Sequence, residues 1–165
     1  MGGNIDWEVI ESTPIFIKPM KLFISYSKDD HKFKDTLLKH LSGLRNKIVT
    51  WHDRDILPGE DWDERIKSKL READVVLYLV THNSLATEYI QQVELPLIEE
   101  RCATGECILV PVIVDFCVWT ELDFAKRNAL PEKGVSVTDS KWKNENEAWK
   151  KVVEGVQRIL ALKKT

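Results

Sequence analysis

Long apolar runs and cysteine are both scarce in this sequence of 165 residues. No stretch approaches the roughly 20 consecutive apolar residues of a membrane-spanning helix, and the first residues lack the basic and apolar regions of a secretory signal. We therefore expect no membrane partner. The 3 cysteines form an odd set without paired spacing, which favours reduced thiols, and hence a cytoplasmic location, over a disulfide framework.

Several motifs of enzyme chemistry are missing as well. Glycine loops of the forms G-x-G-x-x-G and G-x-x-x-x-G-K-[ST] do not occur, and neither does the G-x-S-x-G turn of α/β-hydrolases. The 4 histidines are not spaced as metal ligands with one another or with the cysteines, so we expect no metal site. With 24 basic and 27 acidic residues the net charge is −3, which argues against a nucleic-acid partner.

What is present is a regular alternation of strand and helix patterns. Apolar residues make up 43% and charged residues 31% of the chain, as in a single globular domain. The predicted strands cover residues 22–26, 47–51, 74–80, 107–114 and 134–137. The predicted helices cover residues 29–44, 62–70 and 142–162. A further predicted helix, third in chain order, starts at residue 83 or 87 and is kinked or broken at Pro96. This alternation predicts a central five-stranded parallel sheet with helices on both faces.

Residues 1–19 differ in pattern from the rest of the chain. Pro14 and Pro19 bracket the short apolar run at residues 15–17, and proline restricts such a run to an edge strand or a linker. We expect residues 1–19 to be a lead-in, either a remnant of an expression tag or the tail of an upstream domain. The regular domain is expected to cover residues 20–165.

The segments that follow the strands are where a ligand should bind, because ligands of such sheets lie beyond the carboxyl ends of the strands. The most unusual of these segments, residues 51–62, combines two tryptophans, alternating charges and a Pro-Gly pair. Two interpretations stay open: a recognition loop for a partner or a flat charged ligand, and a surface loop whose tryptophans pack inward.

An acidic pair, Asp29 and Asp30, follows the first predicted strand. Phospho-receiver domains carry such a pair, but they also need an aspartate at the end of the third strand, where this sequence reads Leu79-Val80-Thr81-His82. We therefore expect the two aspartates to cap the helix that follows.

Four sequence boxes, in order, resemble the Toll/interleukin-1 receptor (TIR) domain family in its bacterial form. They are the F-I-S-Y-S box at residues 23–27, the loop after the second strand at 51–62, the third-helix box at 84–95 and the V-P-V-I strand at 110–113. The resemblance extends over residues 21 to about 162. It implies a flavodoxin-like three-layer fold whose five strands are ordered 2-1-3-4-5.

The resemblance implies one of two functions. Some TIR domains are signalling adaptors that self-associate, and others, including many bacterial ones in anti-phage defence, cleave the nicotinamide–ribose bond of NAD⁺. For the enzymes it implies no cofactor beyond NAD⁺ as substrate, and Glu94 as the catalytic residue. Glu94 follows Tyr89 by five residues, whereas in animal and plant members of the family the glutamate follows the aromatic residue by four. Glu88 is therefore the alternative candidate for the catalytic residue. Pro96, two residues after Glu94, is expected to kink the helix and so to change the direction of the carboxylate.

Further site residues are also implied by the resemblance. Tyr26, Ser27 and Lys28 are expected near the phosphates or ribose of NAD⁺, Trp62 is expected to stack on the nicotinamide side, and Tyr89 is expected to line the pocket. The family's BB loop corresponds to residues 53–61, and its apolar tip is expected to form contacts between copies of the domain, giving filaments or higher oligomers. The tip residues are Ile56, Leu57, Pro58 and Gly59. A fused or partner sensor domain is expected to drive this clustering.

Overall fold

A parallel sheet of four strands forms the centre of the computed structural model, which describes residues 18–132 and 134–163. Residues 1–17 of the predicted lead-in lie outside the described residues. The strands are β1 (Met20–Ser25), β2 (Ile48–Trp51), β3 (Val75–Val80) and β4 (Ile108–Ile113), in the spatial order β2-β1-β3-β4. The helices are α1 (His31–Leu41), α2 (Trp62–Glu72), α3 (His82–Leu85), α4 (Leu95–Ala103) and α5 (Glu145–Lys163).

Helices cover the sheet on both faces, so that two apolar cores lie against it. All six residues of β3 are buried, as expected for a strand that is covered on both sides. One core joins the sheet to α1 and α5, with Leu37 and Trp149 at its centre, and the other joins it to α2 and α4 through Ile66 and Ile98. The predicted α/β arrangement with a parallel sheet is therefore confirmed.

The predicted fifth strand is wrong, and so is the order 2-1-3-4-5. Residues 134–137 make no ladder with β4; the chain touches that edge at separate points, where Ile113 N–H donates to Leu130 O (2.8 Å) and Val137 N–H donates to Ile113 O (2.9 Å). Pro111 lacks the N–H that a further strand would need at this edge, and a turn at Gly134 (φ 76°) separates the two contacts. The apolar residues of this segment instead pack into the core without forming a strand.

The third predicted helix is divided in two. The short α3 is capped by Thr81, whose side chain accepts a hydrogen bond from Ser84 N–H (3.1 Å). A π-helical turn, Ile90–Glu94, then leads into α4, and Leu95 N–H donates to Ile90 O across it. Pro96 follows directly and has no N–H to continue the regular ladder, so the predicted irregularity takes the form of a π turn just before the proline.

A membrane-spanning helix is not found among residues 18–132 and 134–163. None of the helices in the described part of the chain is both long and apolar enough to cross a bilayer.

Candidate active site

A cleft of about 760 Å³ opens at the carboxyl edge of the sheet. It lies between the residues that follow β1, the BB loop, the start of α2 and the segment that leads into the π turn. All six residues that the sequence analysis assigned to NAD⁺ line this cleft: Tyr26, Ser27, Lys28, Trp62, Tyr89 and Glu94. The fold thus brings together side chains that are up to 68 positions apart in the sequence.

Glu94 is the buried carboxylate of the cleft. The residue is only 8% exposed, and Oε1 accepts a hydrogen bond of 2.6 Å from the hydroxyl of Ser25, the last residue of β1. Burial raises the pKa of Glu94 to about 7; the Ser25 hydroxyl opposes this rise, and the nearby Asp53 carboxylate adds to it. A carboxyl group with a pKa near neutrality in a cleft is typical of functional sites.

The π turn explains how a five-residue spacing can place Tyr89 and Glu94 in one cleft. A π turn closes its hydrogen bond over five residues rather than four, and this turn covers the last five residues up to Glu94. The π turn therefore accommodates the one extra residue between Tyr89 and Glu94 within a single helical turn. Glu88, the alternative candidate, is exposed and does not line the cleft.

An aromatic pair forms one wall of the cleft. The rings of Trp62 and Tyr89 have centroids 4.8 Å apart at an angle of 47°, and Trp62 remains 55% exposed. The Tyr89 hydroxyl donates to Asp63 Oδ1 (2.7 Å), which fixes the ring against the start of α2. An exposed indole on a fixed support can stack against a planar ring of a ligand.

The residues after β1 form the opposite side of the cleft. Tyr26 donates its hydroxyl to Asp53 Oδ1 (2.6 Å), and burial, with this carboxylate, raises the pKa of Tyr26. The hydroxyl of Ser27 accepts from Asp29 N–H (3.3 Å). Among the described residues that line the cleft, Lys28 carries the only positive charge and is exposed. The ammonium of an exposed lysine that lines a cleft suits a phosphate group.

The BB loop closes the third side and has an exposed tip. Ile56 lines the cleft, whereas Leu57 is 66% exposed and Pro58 is also exposed. Gly59 has φ 89°, a left-handed conformation that side chains disfavour. Of the two tryptophans in this region, Trp51 packs inward on Phe23 with ring centroids 5.2 Å apart, and Trp62 faces the cleft. Inward packing therefore applies to Trp51 and not to Trp62, and recognition of a ligand or partner by this segment stays a hypothesis.

Ser25 and Asp53 had no assigned part in NAD⁺ binding or catalysis in the sequence analysis, although both touch this site. Ser25 was visible as the serine of the F-I-S-Y box, at the carboxyl end of a predicted strand. Asp53, the first residue of the BB loop, ties that loop to β1 through Tyr26. No group of three side chains suitable for holding a metal ion occurs within residues 18–132 and 134–163.

The capping role predicted for the acidic pair after β1 does not apply to Asp30. Its side chain makes no hydrogen bond to the end of α1. The Asp30 carboxylate instead accepts hydrogen bonds from Thr81 Oγ1 and Asn83 Nδ2, both of which follow β3. Ser27 provides the cap of the turn before α1.

Comparison with known proteins agrees with the four sequence boxes. The TIR domain family model matches residues 22–153. The chain is also similar to the uncharacterized protein y4lF of the bacterium Sinorhizobium fredii, with 36% identity over 138 residues. That match covers 82% of this chain and 42% of the relative, so the chain spans less than half the length of the relative it matches. The chain belongs to the TIR domain family.

Proposed function

We propose that this TIR domain is an NAD⁺ nucleosidase that cleaves the bond between nicotinamide and ribose. The observation that carries the proposal is the buried Glu94 carboxylate, which lines a cleft beside the aromatic pair Trp62 and Tyr89. The products are nicotinamide and either ADP-ribose or a cyclic form of ADP-ribose, which contains one water molecule fewer. NAD⁺ is the substrate, and the reaction needs no further cofactor.

The proposed reaction uses Glu94 for electrostatic stabilisation. The C1′–N bond breaks, its electron pair passes to the pyridinium nitrogen, and nicotinamide leaves as a neutral molecule without needing a proton. Positive charge then develops on the ribose in an oxocarbenium-like transition state, which a fixed carboxylate stabilises. Attack at C1′ by water releases a proton and gives ADP-ribose; attack by a nitrogen of the substrate's own adenine takes up no water and gives the cyclic form.

The other residues of the cleft are proposed to bind parts of the substrate. Trp62 offers an exposed indole for stacking on the nicotinamide side, and Tyr89 supports it. Tyr26, Ser27 and Lys28 lie across the cleft, where the ammonium of Lys28 is available to a phosphate. The family resemblance suggests these roles, and the position of the side chains around one cavity supports them.

Self-association through the BB loop is proposed to control the activity. Leu57 is an exposed apolar residue at the loop tip, and a head-to-tail contact between copies through such a tip gives open filaments. A sensor domain, fused or separate, would drive the clustering, as in bacterial anti-phage defence. The same exposed tip also supports a second candidate, a non-enzymatic adaptor that works only by TIR–TIR contact.

Nicotinamide release from NAD⁺ by the purified domain tests the proposal. We expect Glu94→Gln to lower kcat/KM by about 10³-fold, because a neutral amide cannot stabilise the developing cation. Glu88→Gln is the matched control: it makes the same change on an exposed residue of the same segment, and we expect wild-type rates.

Two results would contradict the assignment. Full activity in Glu94→Gln would show that another group performs the chemistry, and a loss confined to Glu88→Gln would select the alternative register. The absence of nicotinamide release from wild-type protein, even when it is clustered on a solid support at high concentration, would favour the adaptor.

A further inference from the structure

Ser25 lies at the end of a central strand and contacts Glu94, which lines the cleft. It is the last residue of β1, a strand that pairs with β2 on one side and with β3 on the other, where Ser25 is opposite Tyr78. Its side chain is buried, and the residue as a whole is 1% exposed. The pairing with β2 ends at Phe23, and at Ser25 the pairing with Tyr78 of β3 holds the backbone. Together with its burial, this gives the hydroxyl of Ser25 a defined position.

The Ser25 hydroxyl acts on Glu94 and not on a ligand. Its Oγ lies 2.6 Å from Glu94 Oε1, a short distance for a hydrogen bond to a carboxylate. Ser25 does not line the cleft and is too buried to be reached by the reacting carbon of a substrate. A nucleophilic role for Ser25 is therefore excluded by access, although a carboxylate next to a serine hydroxyl would otherwise suggest one.

The two carboxylate oxygens of Glu94 have different surroundings. Oε1 accepts from Ser25, while Oε2 has no hydrogen-bonding partner in the part of the chain that the structure describes. Glu94 as a whole lines the cleft. One oxygen is thus held by the protein, and the other is available to a ligand.

We infer that Ser25 is a positioning residue, whose hydroxyl holds one oxygen of Glu94 so that the other meets the ribose as a carboxylate. The inference rests on the proposed function for its kinetic consequence, but the hydrogen bond itself can be tested without NAD⁺. It assigns a role to the serine of the F-I-S-Y box that differs from substrate binding.

Ser25 is the described group that favours the anionic form of Glu94. Burial and the Asp53 carboxylate both favour the protonated form, and no positive side chain contributes. Burial raises the pKa values of Tyr78 and Tyr89, and the Glu94 charge adds a smaller contribution in the same direction. Asp29 and Lys28 line the same cleft but do not shift the pKa of Glu94. Removal of the Ser25 hydroxyl should therefore raise the pKa of Glu94 further.

The pH profile of Ser25→Ala distinguishes positioning from a general structural role. A hydrogen bond to a charged group is strong enough to move a pKa by about one pH unit. With Glu94 at a pKa of about 7 in the wild type, we expect kcat/KM at pH 7 to fall about fivefold. At pH 9 and above, where the carboxyl is ionised in both proteins, the rates should agree within about twofold.

Two variants control this experiment. Ser25→Thr retains a hydroxyl and should keep the acidic limb of the profile near pH 7. Ser136→Ala removes another buried serine hydroxyl, whose Oγ has only a long contact of 3.5 Å to Thr138, and should leave the profile unchanged. An equal loss of rate for Ser25→Ala at all pH values would overturn the inference, because it would indicate disturbed packing rather than an altered carboxylate.

A direct titration separates this inference from the proposed function. The side-chain carboxyl carbon of Glu94 can be followed by ¹³C NMR in protein labelled at glutamate, with Glu94→Gln to assign the signal. A higher pKa in Ser25→Ala than in wild type supports the inference, even if neither protein cleaves NAD⁺. An unchanged pKa overturns it, even if wild-type protein is an active nucleosidase.

Discussion

Asp30 and Glu94 are two buried carboxylates at the same edge of the sheet, with opposite surroundings. Asp30 is 3% exposed, accepts hydrogen bonds on both oxygens, from Thr81 and Asn83 (2.9 Å for the latter), and does not line the cleft. Glu94 is 8% exposed, accepts one hydrogen bond and faces the cleft. Burial is thus common to both, and the completeness of hydrogen bonding is what differs.

The difference indicates what each carboxylate does. A buried carboxylate whose oxygens are both satisfied by neighbouring side chains ties segments of the fold together, here the exits of β1 and β3. A largely buried carboxylate with one oxygen left open to a cleft, and with its pKa raised by burial, is typical of function rather than stability. The resemblance to the family singles out Glu94, but the sequence does not show that Asp30 is buried as well or how the hydrogen bonding of the two carboxylates differs.

The largest effect on stability that we expect from this comparison is at Glu94. Its pKa is about 7 in the folded protein against a reference value of 4.5, so the contribution of this group is fully favourable below pH 4.5 and is lost as the pH rises through 7. Glu94→Gln removes the titration. Relative to wild type, its free energy of unfolding should therefore increase by about 2 to 3 kcal/mol between pH 5 and pH 8.

Urea denaturation at the two pH values measures this difference, with Glu88→Gln as the exposed control that should show no such trend. A constant difference between Glu94→Gln and wild type across this pH range would show that Glu94 is not strongly desolvated in the folded protein.

A somewhat smaller effect on stability, this time a loss, is expected when Asp30 is removed. Asp30→Ala leaves Thr81 and Asn83 without their acceptor, and we expect it to lower the free energy of unfolding by about 2 kcal/mol. The neighbouring Asp29→Ala, at an exposed position, should stay within about 0.5 kcal/mol of wild type. Equal effects of Asp30→Ala and Asp29→Ala in urea denaturation would show that the buried Asp30 carboxylate does not stabilise the fold.

The sequence predicted the features that neighbouring residues determine, and it did not predict those that depend on residues far apart in the chain. The strand and helix patterns that build the parallel sheet are local, and the family boxes brought Glu94, Trp62 and Tyr89 to attention. The fifth strand is missing because Pro111 has no N–H to offer at the outer edge of β4. Which edge of β4 this residue faces is decided by the assembled sheet and not by the local sequence. The contact of Ser25 with Glu94 joins positions 69 residues apart, so no local pattern could indicate it.

The smallest effect that we expect concerns the open side of the cleft, which distinguishes Glu94 from the enclosed Asp30. The BB loop borders that side through Ile56, and its exposed Leu57 is available to a second copy of the chain. If such contacts complete the cleft, specific activity should rise with protein concentration. Leu57→Asp should abolish that rise, because a charged tip cannot be desolvated at the contact.

Light scattering and nicotinamide release measured over the same concentration series test this expectation. Leu57 is exposed, so the substitution should change the free energy of unfolding by no more than about 0.5 kcal/mol. Leu162→Asp places the same charge on an exposed leucine (75% exposed) near the amino end of β4, at the opposite edge of the sheet, and should retain the rise. Activity strictly proportional to protein concentration, equal in wild type and Leu57→Asp, would mean that each copy carries a complete site and that the open side of the cleft is closed by the substrate alone.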